Sequence, residues 1–166
     1  MVSENSSPVA VIMGSDSDLE VMQHCINQLK DFDIDPIVRI LSAHRTPDIA
    51  AQFADNAVDS GIKVIIAAAG MAAHLAGSLA GRTPLPVIGV PLVSGSLGGL
   101  DALLSTVQMP PGVPVATVSL GKAGAKNAAL FAIQILALSN NTLSDKIAQF
   151  RLEQQEKVIA KDASVR

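Results

Sequence analysis

Three features of the sequence predict an α/β fold built on a doubly wound, five-stranded parallel sheet. Five short apolar runs rich in Val, Ile and Ala alternate with segments of helical period. Most of the runs are apolar throughout, as strands covered by helices on both faces are. The links are short and carry Gly, Ser or Pro, with no internal repeat and no long linker. At 166 residues the chain is expected to form one domain over 1–166, with a flexible start over 1–7 and a terminal helix and tail over 142–166.

Residues 9–13 form the first predicted strand. Gly14-Ser15-Asp16-Ser17-Asp18 follows, and Ser15, Asp16 or Ser17 can cap the helix marked by Leu19, Met22, Ile26 and Leu29. Residues 34–41 read as the second strand. The loop Ser42-Ala43-His44-Arg45-Thr46-Pro47 comes next, and Pro47 suits the first turn of a helix. Ile49, Phe53 and Val58 lie on that helix, which the pattern ends at Gly61. Residues 64–69 form the third strand, and 70–77 lead into a small-residue helix ending near Gly81. The fourth strand spans 86–90, followed by a Gly/Ser-rich loop over 91–99 and a short helix over 100–107. The fifth strand spans 113–120, with a long helix over 123–138 and a more polar one from 142 to about 160.

Composition narrows the function. The chain is 49% hydrophobic with four Phe and no Trp or Tyr, so its core is aliphatic. A net charge of −3 gives no general attraction to nucleic acid or an anionic membrane, and the lack of Trp and Tyr nearly excludes base-stacking platforms. The single Cys25 excludes an intrachain disulfide and a cysteine zinc cluster, and its apolar helical setting reads as packing. His24, beside it, reads as surface or packing. The polar first seven residues do not resemble a signal peptide. The longest apolar stretch, 62–80, is broken by Lys63, Gly70, His74 and Gly77, which argues against a membrane span. A cytoplasmic protein is expected. Helix 123–138 is apolar nearly all round, which predicts a homo-oligomer of high order; the alternative is that the terminal helix covers it.

Three strand-end loops carry the chemistry, and open α/β sheets bind ligands at that edge. In 14–18, backbone N–H groups and Ser hydroxyls can hold a phosphate while Asp18 accepts from ribose hydroxyls; plain N-capping explains the same residues equally well. Asp16 and Asp18 without a third ligand make a poor metal site. In 42–47, Arg45 suits a phosphate or carboxylate, and His44 is the side-chain type that both takes and gives a proton near neutrality. His74 should reach the same edge, lining the site or only capping it. No dinucleotide fingerprint is present. Leu120-Gly121-Lys122-Ala123 lacks the Ser/Thr and first Gly of a phosphate-binding loop, so ATP hydrolysis is not expected. No G-x-S-x-G elbow occurs and no cofactor is required. The residues predict a phosphate-bearing small molecule, an acid/base His and an Arg.

MGSDSD, SAHRTPD, IIAAAGMAAHLAG, PVIGVP and LDALLSTVQMPPGVPVATVSLGKAGAKNAAL, in that order, resemble the N5-carboxyaminoimidazole ribonucleotide mutases of purine biosynthesis. The resemblance implies a flavodoxin-like three-layer αβα fold assembled as a homo-octamer. It implies transfer of a carboxylate from the exocyclic nitrogen to the neighbouring ring carbon, without ATP, metal or biotin. Ser15 and Arg45 would bind the phosphate, Asp18 the ribose hydroxyls, and Ser42 the substrate. His44 would be the general acid/base. The Gly70–Leu75 loop, with Ala73 and His74, would wall the carboxylate pocket through its backbone. Ala68 and Met71 stand where many members carry Gly, and Ala76 where Pro is common. A sister branch that carboxylates aminoimidazole ribonucleotide directly reads Lys at the position of Arg45 and has a more polar third loop, so the mutase is favoured. A non-catalytic receiver-like domain, with Asp16 and Asp18 as its acidic pocket, gives no reason for His44 beside Arg45.

Overall fold

A computed structural model describes residues 7–166. Of the expected flexible start, only Ser7 falls within them; it is buried, and its hydroxyl accepts a hydrogen bond from the Val9 N–H. Five parallel strands are ordered β2-β1-β3-β4-β5: β1 (Val9–Met13), β2 (Ile37–Ile40), β3 (Val64–Gly70), β4 (Val87–Leu92) and β5 (Ala116–Thr117). The helices are α1 (Leu19–Lys30), α2 (Pro47–Asp55), α3 (Leu75–Ala80), α4 (Leu100–Val107), α5 (Gly121–Ala137) and α6 (Asn141–Ala163). The flavodoxin-like doubly wound sheet is thus the observed architecture.

Strand alternation splits the core into two layers. Val9, Val11 and Met13 of β1, with Val64, Ile66 and Ala68 of β3, face α1 and α5. Ala10, Ile12, Ile65 and Ala67 face the other side, with Ala50 and Ala54 of α2 and Leu75 and Leu79 of α3. Every residue of β1 is fully buried, and each large apolar side chain so buried contributes roughly 1.5–3 kcal/mol.

Edges and prolines account for the differences from the expected elements. The second strand shortens to Ile37–Ile40 because the Ile34 N–H turns back to the Leu29 carbonyl and Pro36 offers no donor. Helix α2 stops at Asp55 rather than Gly61, since the chain closes in turns that end on Gly61 at φ 81°. Strand β4 runs through Pro91 to Leu92. The Gly89 carbonyl accepts from Val118, so by alternation Pro91 also faces the β5 side, where pairing ends at Gly89 and its missing N–H interrupts nothing. Strand β5 keeps two residues of the expected eight-residue run, with Pro114 just before it.

Helix α5 packs on α1, β4 and α6, burying Gly124, Ala125, Ala128, Ala129, Ala132 and Ile133. Its apolar circumference is therefore largely covered inside its own chain, with Phe131 left exposed and Leu138 exposed just past its end. An apolar stripe stands open elsewhere, on Leu100, Leu104 and Val107 of α4. No helix among the described residues is long and apolar enough to cross a membrane.

The chain leaves β1 for β2 on one side and reaches β3 on the other. Such a switch point opens a crevice at the carboxyl ends of the strands, and the three informative loops all begin there.

Candidate active site

Each loop is fixed by short-range hydrogen bonds before any ligand arrives. In the first, Ser15 caps a single 3-10 turn over Asp16–Asp18. The Asp18 carboxylate accepts from the Ser15 N–H at 3.1 Å. The Ser15 hydroxyl and the Ser17 N–H both donate to Asp16 Oδ1, each at 3.0 Å. The capping reading of this stretch therefore holds. The donors that cap the turn are also those an incoming anion would use, and at present Asp16 occupies them. The Ser15 hydroxyl is the main cause holding the exposed Asp16 below the usual carboxylate range.

In the second loop Ser42 Oγ accepts from the N–H groups of Arg45 (3.1 Å) and His44 (3.3 Å). The Thr46 hydroxyl accepts from the Ser42 N–H at 2.9 Å and donates to its carbonyl at 3.1 Å. Ser42 is thus part of the loop's frame, with its hydroxyl proton left to donate. Arg45 reaches across to β1, where Nη2 donates to the Gly14 carbonyl at 2.7 Å. Its Nη1 has no partner among the described residues.

The third loop brings His74 to His44. The His44 Nε2 and His74 Nδ1 atoms lie 2.8 Å apart, with the rings edge-to-face at 86°. One ring donates and the other accepts, so the contact fixes complementary tautomers. Residues Gly14, Ser15, Ser17, Asp18, Ser42, His44, Arg45, Gly70, Met71, His74, Leu75 and Ser94, with Ala43, Ala69 and Ala72, line one cleft of about 460 Å³. Eight of the nine expected site residues border it. Ala73 does not: tight turns between Met71 and His74 direct it inward, where it is buried. Ser94 also borders the cleft; its one signal in the sequence is its place in a Gly/Ser-rich loop on the same edge.

Burial is the main cause raising the Asp18 carboxyl above its ordinary value. Between the unfolded and folded values the native state holds more protons, so this group's contribution to stability falls as pH rises through that window. Asp18→Asn keeps an acceptor for the Ser15 N–H and carries no charge. Its thermal midpoint without ligand is expected to exceed the parent's at pH 7, with the gap narrowing as pH falls through the carboxylate range. Thermal melts across pH check this, and a gap independent of pH contradicts it.

Met71 sits at φ 54°, a left-handed conformation that costs a non-glycine residue roughly 1–2 kcal/mol. Its side chain lies against Gly95 and is largely exposed. Glycine removes the strain and returns about 0.5–1 kcal/mol to the unfolded chain's freedom. Met71→Gly is therefore expected to hold stability or raise it by up to about 1 kcal/mol. Urea unfolding measures it, and a clear loss would mean that the side chain anchors the loop.

A doubly wound α/β sheet, with an imidazole pair, a guanidinium and a hydroxyl-rich turn around its switch point, defines a flavodoxin-like protein with a small-molecule site. The chain belongs to the AIR carboxylase family, which matches residues 8–157. It is 55% identical over 152 residues to the N5-carboxyaminoimidazole ribonucleotide mutase of Saccharolobus solfataricus, covering 92% of this chain and 95% of that one. Identity to the mutase of Mycobacterium leprae is also 55%, over 157 residues, or 95% of this chain and 91% of that one. The crystal structure of Treponema denticola PurE superposes with a TM-score of 0.86 at 30% identity, covering 95% of this chain and 98% of that one.

Proposed function

We propose that the protein is an isomerase that converts N5-carboxyaminoimidazole ribonucleotide to 4-carboxyaminoimidazole ribonucleotide in purine biosynthesis. The observation that carries this reading is the meeting of His44 with the donors of Ser15 and Arg45 in one cleft, in a chain 55% identical to named mutases.

The residues divide the work by chemistry. Arg45 Nη1, the Ser15 hydroxyl and the Ser17 N–H take the phosphate, displacing the Asp16 carboxylate. Asp18 accepts from the ribose hydroxyls, and Ser42 donates its remaining hydroxyl proton. The bond between the exocyclic nitrogen and the carboxylate breaks, its electron pair stays on nitrogen, and His44 supplies the proton. The ring carbon attacks the released carbon dioxide, and its own proton passes back to His44. One group thus gives and regains one proton, and holding both fragments in the cleft makes the second step effectively unimolecular. His74 orients the His44 ring through their contact. No cofactor enters the scheme.

The alternative is direct carboxylation of aminoimidazole ribonucleotide, and Arg45 at the position where that branch reads Lys argues against it. Supplying each substrate separately decides the matter: rapid conversion only of aminoimidazole ribonucleotide with bicarbonate contradicts the proposal.

The same reading includes a single-domain, cytoplasmic protein assembled as a homo-octamer. Leu100, Leu104 and Val107, exposed along one face of α4, with Val93 and Leu97 before it, support association of copies. Native mass spectrometry checks the subunit number.

A further inference from the structure

Ser94 lies two residues beyond the end of β4, whose last residue, Leu92, pairs in register with Gly70. A Cβ built at Gly70 would stand 1.9 Å from Ser94 Oγ and 3.0 Å from Ser94 Cβ. Gly70 is not in the left-handed region, so its backbone does not itself demand glycine. What the missing side chain provides is room for the serine hydroxyl at the cleft wall. That hydroxyl has no hydrogen-bond partner among the described residues, and Ser94 borders the cleft.

Position in the sheet indicates which part of a ligand it meets. The phosphate donors follow β1 and β2, whereas Ser94 follows β4, two strands from β1. Neighbouring strands stand about 4.8 Å apart, so Ser94 is about 10 Å along the edge from the phosphate end. It flanks the Gly70–Leu75 loop at the end of the cleft away from the proposed phosphate donors, where the imidazole end of the proposed substrate would lie.

We propose that Ser94 is a binding residue for the migrating carboxylate. Its hydroxyl donates to a carboxylate oxygen in substrate and product, and holds carbon dioxide beside the ring between the two bonding steps. The proposal rests on the carboxylate-transfer reading above, and it gives Gly70 a reason: a side chain there would push this donor away.

Ser94→Ala tests it, since removing a hydroxyl without an internal partner breaks no bond in the fold. The thermal midpoint should stay at the parent value. With N5-carboxyaminoimidazole ribonucleotide, kcat/KM should fall by about tenfold or more, the usual effect of losing a hydrogen bond to a charged group. The fraction of turnovers releasing aminoimidazole ribonucleotide and carbon dioxide, instead of rearranged product, should rise. Gly70→Ala should produce the same leak and lower stability, and Ser94→Gly in that background should recover stability. If the parent protein rearranges the substrate while Ser94→Ala matches it in both kcat/KM and leakage, the role of Ser94 is overturned and the proposed function stands. If the parent does not rearrange the substrate, both are overturned.

Discussion

Replacing His44 with asparagine is expected to lower kcat by about 10²–10⁴-fold, the range over which general acid/base groups act. Asparagine keeps hydrogen-bonding atoms but cannot carry the proton from ring carbon to nitrogen. His44 is exposed and its ring touches His74, so the fold should be unaffected. Substrate affinity should change little, because the donors assigned to the phosphate lie on Ser15, Ser17 and Arg45. Steady-state kinetics paired with calorimetric titration separates the two quantities. Near-parental turnover in His44→Asn, or a larger loss in His74→Asn, would move the acid/base role to His74.

Arg45→Met should act on binding instead. Methionine retains an apolar stem but loses the Nη2 bond to the Gly14 carbonyl and the unpaired Nη1. A hydrogen bond to a charged group contributes about 1.5–3 kcal/mol, so KM should rise by roughly 10–150-fold with a smaller effect on kcat. Arg45→Lys should recover only part, since an ammonium supplies a point charge without the planar fork. Comparing nucleotide and nucleoside ligands makes the assignment specific. If Arg45 holds the phosphate, removing both should cost little more than removing either. Additive losses would place the guanidinium elsewhere on the ligand.

Much of this fold is legible in the sequence because burial dictates the pattern. Strand β1 is apolar in all five residues because helices cover both of its faces, and the apolar run and the strand coincide to the residue. Helix α4 was also placed at its observed ends. The edge strands were overextended. Apolar residues continue past the last ladder bond in 113–120, and only tertiary pairing ends the strand at Thr117.

The candidate site divides in the same way. His44, Arg45 and Ser42 were readable because they occupy one short loop whose internal bonds are local. The contact of His44 with His74 joins residues 30 apart and depends on how two loops close over the switch point. Ser94 was hidden for a related reason: its Gly/Ser-rich loop places it on the right edge, but only the space above Gly70 singles out its hydroxyl. Met71 shows the opposite case. The sequence marked it as a departure from a glycine position, and its left-handed backbone shows the chain keeping the glycine-like conformation without the glycine.

Movement of the carboxylate within a single substrate molecule, in one cleft, is read by isotope retention. N5-carboxyaminoimidazole ribonucleotide labelled with ¹³C in its carboxylate is converted in unlabelled bicarbonate, and the product is analysed by mass spectrometry. The label is expected to stay in the carboxylate on the ring carbon. Product carrying the unlabelled carbon of the medium would contradict it.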